Sequence, residues 1–315
     1  MKNILIDCDP GIDDALAIIL ALKHPNLDVR AVTTVSGNMT ADHTSINARK
    51  ILEFMGKVDI PVAQGPLKPL VRDYPRDPFS HGDDGLGNTG LPQPNLPLDA
   101  RTAAEVIVST VNEHAGDISL AFTGPLTNLA LALELDPELP SKVSELVFLG
   151  GSFGFTKYAF TQATGDNPAS EWNVYVDPEA ADIVFRAGFP LRCIGLDVAT
   201  HIDINLSDER LGRLRSSDKP EARLAADIVK FVRDREYQSY CALIDSMVIA
   251  DLVDPGIVRF EEIYCGVETE GKLTLGMTVA DIRNHHAWTD LPRIRAAADA
   301  DFGRFLDFLV DGLTA

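Results

Sequence analysis

The amino-acid sequence predicts an α/β protein: a single domain in which an open, mostly parallel central sheet is flanked by helices. The first observation is that short apolar runs alternate with segments of helical periodicity from the first residues onward. Strands separated by helices of roughly 10–15 residues are typical of βαβ units and parallel sheets. The second observation is that no internal repeat or linker-like composition divides the chain, so we expect residues 1–315 to form one domain.

Each predicted element follows from its local pattern. Residues 3–7 form an apolar run that predicts a buried strand, and the Pro-Gly pair after it predicts a turn into a helix at residues 13–23. Leu27–Thr34 is rich in β-branched residues and predicts a second strand. The alternation continues with predicted helices at 41–55, 103–113, 126–135 and 178–187, and with strand-like segments at 60–63, 118–122, 145–149 and 191–195.

Two long irregular segments interrupt this alternation. Residues 66–97 are rich in proline and include the glycine-rich run 81–87, and residues 153–170 are rich in glycine and threonine. Loops of this length in a compact domain are usually functional or disordered. Both follow strand-like segments, so we expect both at the carboxyl edge of the sheet, where open α/β proteins bind their ligands.

The charge of the chain excludes several classes of partner. Asp and Glu number 47 against 28 Lys and Arg, which gives a formal net charge of −19. This charge opposes binding to nucleic-acid polymers and anionic membrane surfaces, but it is compatible with small neutral ligands and divalent cations. No apolar run reaches the ~20 residues that span a bilayer. The four cysteines are widely spaced, which predicts reduced thiols in a cytoplasmic protein.

The most informative segment is the acidic turn at residues 7–14, which carries four aspartates around a Pro-Gly pair. Asp13 and Asp14 could simply charge the first turn of a helix, where carboxylates interact favourably with the helix dipole. Asp7 and Asp9 precede that helix, and this explanation does not cover them. Oxygen ligands gathered on a compact turn suit a hard cation such as Ca²⁺ or Mg²⁺, so we favour a cation site.

A cation at this turn is also compatible with phosphoryl transfer. Mg²⁺ phosphohydrolases carry an Asp-x-Asp-x-Thr turn after the first strand and use the first aspartate as a nucleophile. Here Gly11 stands where that pattern has threonine or valine. A phosphohydrolase is therefore the weaker interpretation.

At this point the chain resembles the inosine-uridine-preferring nucleoside hydrolase family, whose N-terminal signature Asp-x-Asp-Pro-Gly-x-Asp-Asp is met by residues 7–14. Further segments resemble the family in the same order, and together they span about residues 3–284. They are residues 33–38, 81–82, 123–128, 149–151, 171–173, 177–180 and 271–281.

The resemblance implies hydrolysis of the N-glycosidic bond of a ribonucleoside to ribose and a free base. It implies a Ca²⁺ ion that holds a water and the ribose 2′- and 3′-hydroxyls, and a cytoplasmic homodimer or homotetramer. Asp9 would bind the ion and deprotonate the water, with Asp14, the Thr123 carbonyl and Asp245 as further ligands, while Asp7 would support the turn. The chemistry is consistent, because a bound cation lowers the pKa of its water and a nearby carboxylate can accept the proton.

The resemblance also implies how the ribose is held. Asn38 and Asn173 would bind the diol and the water, Asp13 would reach the ribose, and Asn167 and Glu171 would bind the 5′-hydroxyl. Asn167 and Glu171 lie closer together along the chain than the family pattern suggests.

Glu171 and Asn173 flank Trp172. The alternation of an extended segment would direct both polar side chains into a pocket with Trp172 behind them. A polar strand face at the edge of a loop is the competing interpretation.

The chain departs from the family at the residue before Asp245. Many members carry a histidine there that helps protonate the leaving base, whereas this chain carries Ile244, which has no proton to donate. His81, the loop at residues 284–288, Tyr237 and Tyr240 are the candidates to replace it, and His81 is preferred because its loop matches the family.

Three alternatives therefore stay open beside hydrolysis of common ribonucleosides. The first is the hydrolysis of a modified or unusual N-riboside at the same ribose site. The second is a non-catalytic nucleoside- or ribose-binding protein, which the loss of the histidine makes conceivable. The third is the Mg²⁺ phosphohydrolase.

Overall fold

A single, mostly parallel sheet runs through the chain, which the computed structural model describes over residues 1–76, 80–285 and 287–315. Within these residues nine strands are arranged in the order β3-β2-β1-β4-β5-β6-β9-β7-β8. The strands are β1 Lys2–Cys8, β2 Leu27–Thr34, β3 Val62–Gln64, β4 Ile118–Phe122, β5 Glu145–Leu149, β6 Leu191–Ile194, β7 Val258–Val267, β8 Thr278–Asp281 and β9 Arg293–Ala300.

Helices connect the strands and cover both faces of the sheet. The first seven are α1 Ile12–Lys23, α2 Ala41–Phe54, α3 Ala103–Glu113, α4 Thr127–Leu135, α5 Leu139–Lys142, α6 Tyr158–Thr161 and α7 Trp172–Val176. The later ones are α8 Pro178–Arg186, α9 Leu196–Ala199, α10 Asp208–Ser216, α11 Pro220–Asp234, α12 Ser246–Val253 and α13 Phe302–Thr314. Short 3₁₀ helices occur at Ile202–Ile204 and Ser239–Ala242. Among the described residues, no helix combines the length and the apolar character needed to cross a membrane.

The strand order creates a ligand position at the carboxyl edge of the sheet. From β1 the chain adds β2 and β3 on one side, and it then crosses to β4 on the other side of β1. Open α/β sheets bind ligands outside the carboxyl ends of the strands at such a switch point. The residues that follow β1, β2, β4 and β5 are therefore brought to one edge.

Two apolar layers hold this sheet between its helices. Ile4 and Ile6 of β1 face the layer built with α1 and α11–α13, whereas Leu5 between them faces the layer built with α3, α4 and α8. A strand that is buried on both faces reads as a continuous apolar run, as β1 does. The same burial explains why the central parallel strands could be predicted from the sequence.

The sequence-based prediction of an α/β fold with an open, mostly parallel sheet is confirmed. Leu27–Thr34, Ile118–Phe122 and Glu145–Leu149 are strands with the predicted bounds. The antiparallel extension formed by β7, β8 and β9 was not predicted. Exposed and buried residues are mixed along β7, so its pattern lacks the apolar run of a central strand. The four cysteines form no disulfide, and only Cys241 among them is partly exposed.

A buried ion pair fixes α12 against the sheet. The Arg192 guanidinium on β6 lies 2.7 Å from the Asp251 carboxylate on α12 and 2.8 Å from the Glu145 carboxylate on β5. Burial raises the pKa of Asp251 to about 6, and the charge of Arg192 opposes this rise. Because Asp245 immediately precedes α12, this pair also fixes the position of Asp245.

We predict that Arg192→Met lowers the free energy of unfolding by about 3 kcal/mol, because it leaves two carboxylates without their buried cation. Urea denaturation monitored by circular dichroism measures the loss. The double variant Arg192→Met/Asp251→Leu should regain part of the stability, since it also removes the more deeply buried carboxylate. A single variant as stable as the wild type would contradict the prediction.

Candidate active site

Five polar residues from distant parts of the chain meet at the carboxyl edge of the sheet. Asp9 follows β1, Asn38 follows β2 and Thr123 follows β4, so three neighbouring parallel strands bring them together. Asn173 lies in α7 and Asp245 immediately precedes α12. Asn38, Thr123, Asn173 and Asp245 line a cavity of about 350 Å³, while Asp9 is fully buried against Asn38.

Three carboxylates at this edge of the sheet are close enough to share a metal ion. Oxygen atoms of Asp13, Asp14 and Asp245 all lie within 4.8 Å of one another. Asp14 is fully buried and Asp245 is 2% exposed, so water does little to screen their repulsion. Oxygen ligands from carboxylates suit a hard divalent cation. Asp13 thus contributes to the closest carboxylate set, although the sequence-based hypothesis assigned it to the ribose.

The electrostatics of the cluster are those of acids that need a counter-charge. Burial raises the pKa of Asp9 and Asp245 well above the ordinary range, and the neighbouring carboxylates raise it further. Burial also raises the pKa of Asp14, against hydrogen bonds from the Gly11 amide and the Thr123 hydroxyl. Either protons or a cation must neutralise these groups, since isolated buried carboxylates are costly.

Asp9 is held through one carboxylate oxygen, and its other oxygen lacks a partner. Its Oδ2 accepts the backbone N–H of Asn38 at 2.6 Å. Its Oδ1 is buried and accepts no hydrogen bond from the described residues. Glycines make room for the carboxylate: a Cβ on Gly37 would lie 1.9 Å from Oδ2, and one on Gly124 would lie 2.8 Å from Oδ1. A buried oxygen with unused acceptor capacity fits a metal or water ligand.

Asp7 is a supporting acid beneath the turn. Its Oδ2 accepts hydrogen bonds from the Thr33 hydroxyl at 2.5 Å and from the Asn128 side-chain amide at 2.8 Å. Burial raises the pKa of Asp7 to about 7. These two hydrogen bonds connect β1 with β2 and α4, as expected for a residue that supports the turn.

Asn38 and Thr123 connect the cluster to the neighbouring strands. The Asn38 side-chain amide donates to the Asp9 carbonyl and to Asp14 Oδ2, both at 3.2 Å. The Thr123 hydroxyl donates to Asp14 Oδ1 at 2.7 Å. The Thr123 carbonyl accepts the Asn173 side-chain amide at 2.9 Å. A carbonyl oxygen has two lone pairs, so this bond leaves capacity for the predicted ligand role.

Glu171, Trp172 and Asn173 all line the cavity, but not by strand alternation as the sequence suggested. Trp172–Val176 is a helix, and Glu171 is its N-cap. The Glu171 carboxylate accepts the backbone N–H groups of Asn173, Val174 and Gly151 at 2.8–3.1 Å. The N–H groups of the first helical turn have no partner within the helix, so a carboxylate that caps them favours a helix over an extended strand here. Burial raises the pKa of Glu171 to about 7.

The structure does not bring Asn167 into the cavity. Its side-chain amide donates to the Leu275 carbonyl at 2.9 Å, and its side-chain oxygen accepts from Ala169 and Ser170. The last two bonds are local to the loop before α7, the first ties that loop to the segment before β8, and Asn167 is not among the lining residues. The short spacing to Glu171 explains the difference, since the intervening residues form a local turn and cannot extend along the cavity wall.

His81 and Ile244 also line the cavity. His81 Nδ1 accepts the backbone N–H of Ile12 at 3.1 Å and lies 3.8 Å from Asp13 Oδ1. Close packing makes Gly11 necessary here, because a Cβ at that position would lie 2.3 Å from His81 Nδ1. A ring nitrogen that accepts a backbone N–H carries no proton, so the neutral ring has its proton on Nε2.

The remaining candidates for leaving-group activation differ in position. Tyr237 and Tyr240 line the cavity, and the Tyr240 hydroxyl donates to the Gln162 side chain at 2.7 Å. Burial raises the pKa of Tyr240 to about 12. In the loop at residues 284–288, the described residues do not line the cavity, and His286 lies outside the described residues.

Sequence reasoning missed part of one wall of the cavity. This wall comes from the C-terminal half of α11 and the segment after it; Tyr237 and Tyr240 were candidates from the sequence, whereas Phe231, Val232 and Arg235 were not. Residues three and four positions apart share one face of a helix, so the spacing of residues 231, 232 and 235 could have shown that they lie on the same face. Nothing in the sequence alone indicated which face of that helix meets the acidic turn.

Known proteins share both the sequence and the fold of this chain. A family model described as "Inosine-uridine preferring nucleoside hydrolase" matches residues 4–307. The pyrimidine-specific ribonucleoside hydrolase RihA of Escherichia coli is 39% identical, over 98% of this chain and 97% of the relative. A solved plant nucleoside hydrolase is 33% identical with a TM-score of 0.86, covering 100% of this chain and 99% of that one. The solved purine-preferring ribonucleoside hydrolase of Gardnerella vaginalis is 29% identical with a TM-score of 0.87, covering 99% and 98% of the two chains.

The acidic cluster predicts a specific response to Asp245→Asn, which removes one buried charge at nearly constant side-chain size. We expect the metal-free variant to melt above the metal-free wild type, because carboxylate repulsion is reduced. Calcium at about 100 times its Kd should stabilise the wild type by about 2.7 kcal/mol. It should stabilise the variant far less. Thermal melts in EDTA and across a calcium titration measure both effects.

Asp59→Asn is the matched control for this experiment, because Asp59 is exposed and does not line the cavity. This control should melt like the wild type with and without calcium. If calcium raises the melting temperature of the wild type and of Asp245→Asn equally, Asp245 is not a ligand of the cation.

Proposed function

The chain belongs to the inosine-uridine preferring nucleoside hydrolase family, and we propose that it hydrolyses the N-glycosidic bond of ribonucleosides to ribose and free base with the help of Ca²⁺. The observation that carries this proposal is the meeting of buried carboxylates with polar amides at one cavity on the carboxyl edge of the sheet. The family membership makes the chain a nucleoside hydrolase, and the cavity is the place where we assign the reaction. We assign it to residues 1–315 as one catalytic domain.

The residues present fit a hard cation. Asp9, Asp14, the Thr123 carbonyl and Asp245 would hold it, and Asp13 is close enough to Asp14 and Asp245 to join them. The unpartnered Oδ1 of Asp9 and the raised pKa values of the buried acids support a missing positive charge. When bound, Ca²⁺ would lower the pKa of a coordinated water and hold the ribose diol.

Asp9 is the proposed general base. The backbone N–H of Asn38 fixes one oxygen of its carboxylate, and the other accepts no hydrogen bond from the described residues, so we assign it to accept the proton of the attacking water. Positive charge develops on the ribosyl ring as the glycosidic bond breaks, and the surrounding acids stabilise that charge. Charge stabilisation and proton acceptance thus come from the same cluster.

The ribose itself is the proposed ligand of Asp13, Asn38 and Asn173. Glu171 holds the helix that carries Asn173 by accepting its backbone N–H, and Glu171 also lines the cavity within reach of a ligand. Asn167 has no place in this assignment, because its amide donates to the Leu275 carbonyl and its side-chain oxygen accepts hydrogen bonds within its own loop. We assign His81 the role of a hydrogen-bond donor to the substrate through Nε2.

These polar groups are assigned to the ribose and the cation, so they do not determine which base the protein prefers. RihA is named pyrimidine-specific and the Gardnerella vaginalis enzyme purine-preferring, so related chains differ in this property. Ile244 keeps two alternatives open: an unusual N-riboside as substrate, and nucleoside binding without turnover. A phosphohydrolase is disfavoured, because the contact of Gly11 with His81 leaves no space for the threonine of that pattern. We further propose a cytoplasmic homodimer or homotetramer that takes part in nucleoside salvage.

A panel of nucleosides tests the proposed function. We expect the calcium-loaded protein to release reducing sugar from one or more common ribonucleosides, and EDTA to abolish the release. The 2′-deoxynucleosides should react much more slowly, because they lack one of the two hydroxyls that orient the ring. Phosphate release from sugar phosphates, with intact nucleosides, would identify a phosphohydrolase instead. Tight binding of nucleosides with no turnover of any riboside would identify a binding protein.

Asp9→Asn tests the assignment of the base. We predict that kcat on the best nucleoside falls by at least about 10²-fold, since general bases commonly contribute 10²–10⁴. The protein should remain folded, because asparagine keeps the shape of the side chain and removes a buried charge. Reducing-sugar assays give the rate and circular dichroism checks the fold, with Asp59→Asn as the control. Turnover close to that of the wild type would rule Asp9 out as the base.

A further inference from the structure

Arg235 brings a permanent positive charge to a cavity whose other charged groups are largely acidic. It lines the same cavity as Asp13, Asp245 and Ile244. Its contacts with the described residues are to the Ser80 carbonyl and to the rings of Phe231 and Tyr237, and none of these is a carboxylate. Among the described residues the charge of the guanidinium is therefore not neutralised by an acid.

The local structure positions this side chain. The backbone N–H of Arg235 donates to the Val232 carbonyl at 3.2 Å at the end of α11, and the left-handed conformation of Glu236 (φ 63°) ends the helix there. The guanidinium carbon lies 5.0 Å from the centre of the Phe231 ring and 5.8 Å from that of Tyr237. A cation held over two aromatic faces keeps its charge and its donors while its position is restricted.

The loop that carries His81 lies beside this guanidinium. One Arg235 nitrogen is 3.5 Å from the Ser80 carbonyl, and Phe231 packs against the glycine-rich loop at Gly87. Arg235 therefore contacts the residue that precedes His81, which the family resemblance makes the preferred acid. Arg235 and His81 both line the cavity.

The other groups that could activate a leaving base are poorly suited to it. Ile244 has no proton. The Tyr240 hydroxyl is already donated to Gln162. His81 uses Nδ1 to accept the backbone N–H of Ile12, which leaves Nε2 as its one hydrogen-bond donor. The described part of the cavity wall also carries one guanidinium, that of Arg235.

We propose that Arg235 stabilises the negative charge that develops on the departing base, in place of a histidine that would protonate it. The inference rests on the proposed function. The bond between C1′ and the base nitrogen breaks, and its electron pair stays on the base, beside the guanidinium. Water oxygen forms the new bond to C1′ and its proton passes to Asp9. The base anion afterwards takes a proton from solvent or from Asp9, so nucleoside and water give ribose and neutral base.

The charges of the cavity match this separation. The acids favour the positive ribosyl ring, and Arg235 favours the negative base, so both partial charges of the breaking bond meet a group of opposite sign. Arginine cannot act as an acid in a protein, since it is always protonated, but it donates several N–H groups to an anion. Arg235 is therefore a catalytic residue whose importance depends on how poor the leaving group is.

The test compares a poor with a good leaving group in Arg235→Met and Arg235→Lys. Uridine leaves as a weakly stabilised anion, whereas p-nitrophenyl riboside releases an anion that is stable in water. We expect Arg235→Met to lower kcat on uridine by about 10²-fold or more, as for loss of one transition-state donor. On p-nitrophenyl riboside the loss should be at least about tenfold smaller. Arg235→Lys should recover part of the loss on uridine, because it keeps the charge.

Arg223→Met is the matched control, since Arg223 is exposed on the same helix and does not line the cavity. It should leave the ratio of the two kcat values as in the wild type. Equal losses on both substrates in Arg235→Met would overturn the inference in favour of a structural role. So would a higher KM with unchanged kcat, which would show that Arg235 only binds substrate.

The test does not depend on uridine itself. If the wild type does not cleave uridine, another nucleoside that it cleaves takes the place of uridine. Wild-type cleavage of any riboside preserves the proposed function, whatever the Arg235 variants do. Failure of the wild type to cleave both nucleosides and p-nitrophenyl riboside would overturn the proposed function and the inference with it.

Discussion

Repulsion among buried carboxylates at the end of the first strand is the constraint on which the rest of the site depends. Asp9, Asp14 and Asp245 are almost completely inaccessible to water, and their charges face one another. In a medium of low polarity such a group is unfavourable unless protons or a cation neutralise it. The fold keeps these acids together, so either bound protons or a bound cation must offset their repulsion.

Several elements of the fold contribute to stabilising these carboxylates and to holding them in position. At the ends of neighbouring parallel strands, Asn38 donates to the carboxylates through its backbone N–H and its side-chain amide, and Thr123 donates through its hydroxyl. The pair between Arg192 and Asp251 fixes α12 near its C-terminal end, whereas Asp245 immediately precedes the other end of this helix. A rigid sheet edge is well suited to this task, because functional groups must be held within a fraction of an ångström for catalysis.

The cavity combines two walls with different origins. One wall is the acidic turn with its amides, and its residues follow the strand ends directly. The other wall comes from α11 and the segment after it, where Phe231, Arg235 and Ile244 set the chemistry offered to the leaving base. Related hydrolases are named for pyrimidine or for purine nucleosides although they share this fold, which is understandable if the second wall varies independently of the first.

The sequence by itself determined the central strands and the acidic turn, because both depend on short-range patterns: apolar runs buried on both faces, and a Pro-Gly turn that gathers aspartates. The resemblance of the sequence to the family also pointed to Asp245 as a cation ligand. Only the tertiary structure decided that Glu171 caps a helix, that Asn167 bonds to Leu275 and to its own loop, and that Arg235 reaches the cavity. Each of these depends on contacts between segments far apart in the chain or on the competition for unpaired backbone N–H groups. Helical spacing can show which residues share a face of α11, but it does not show what that face meets.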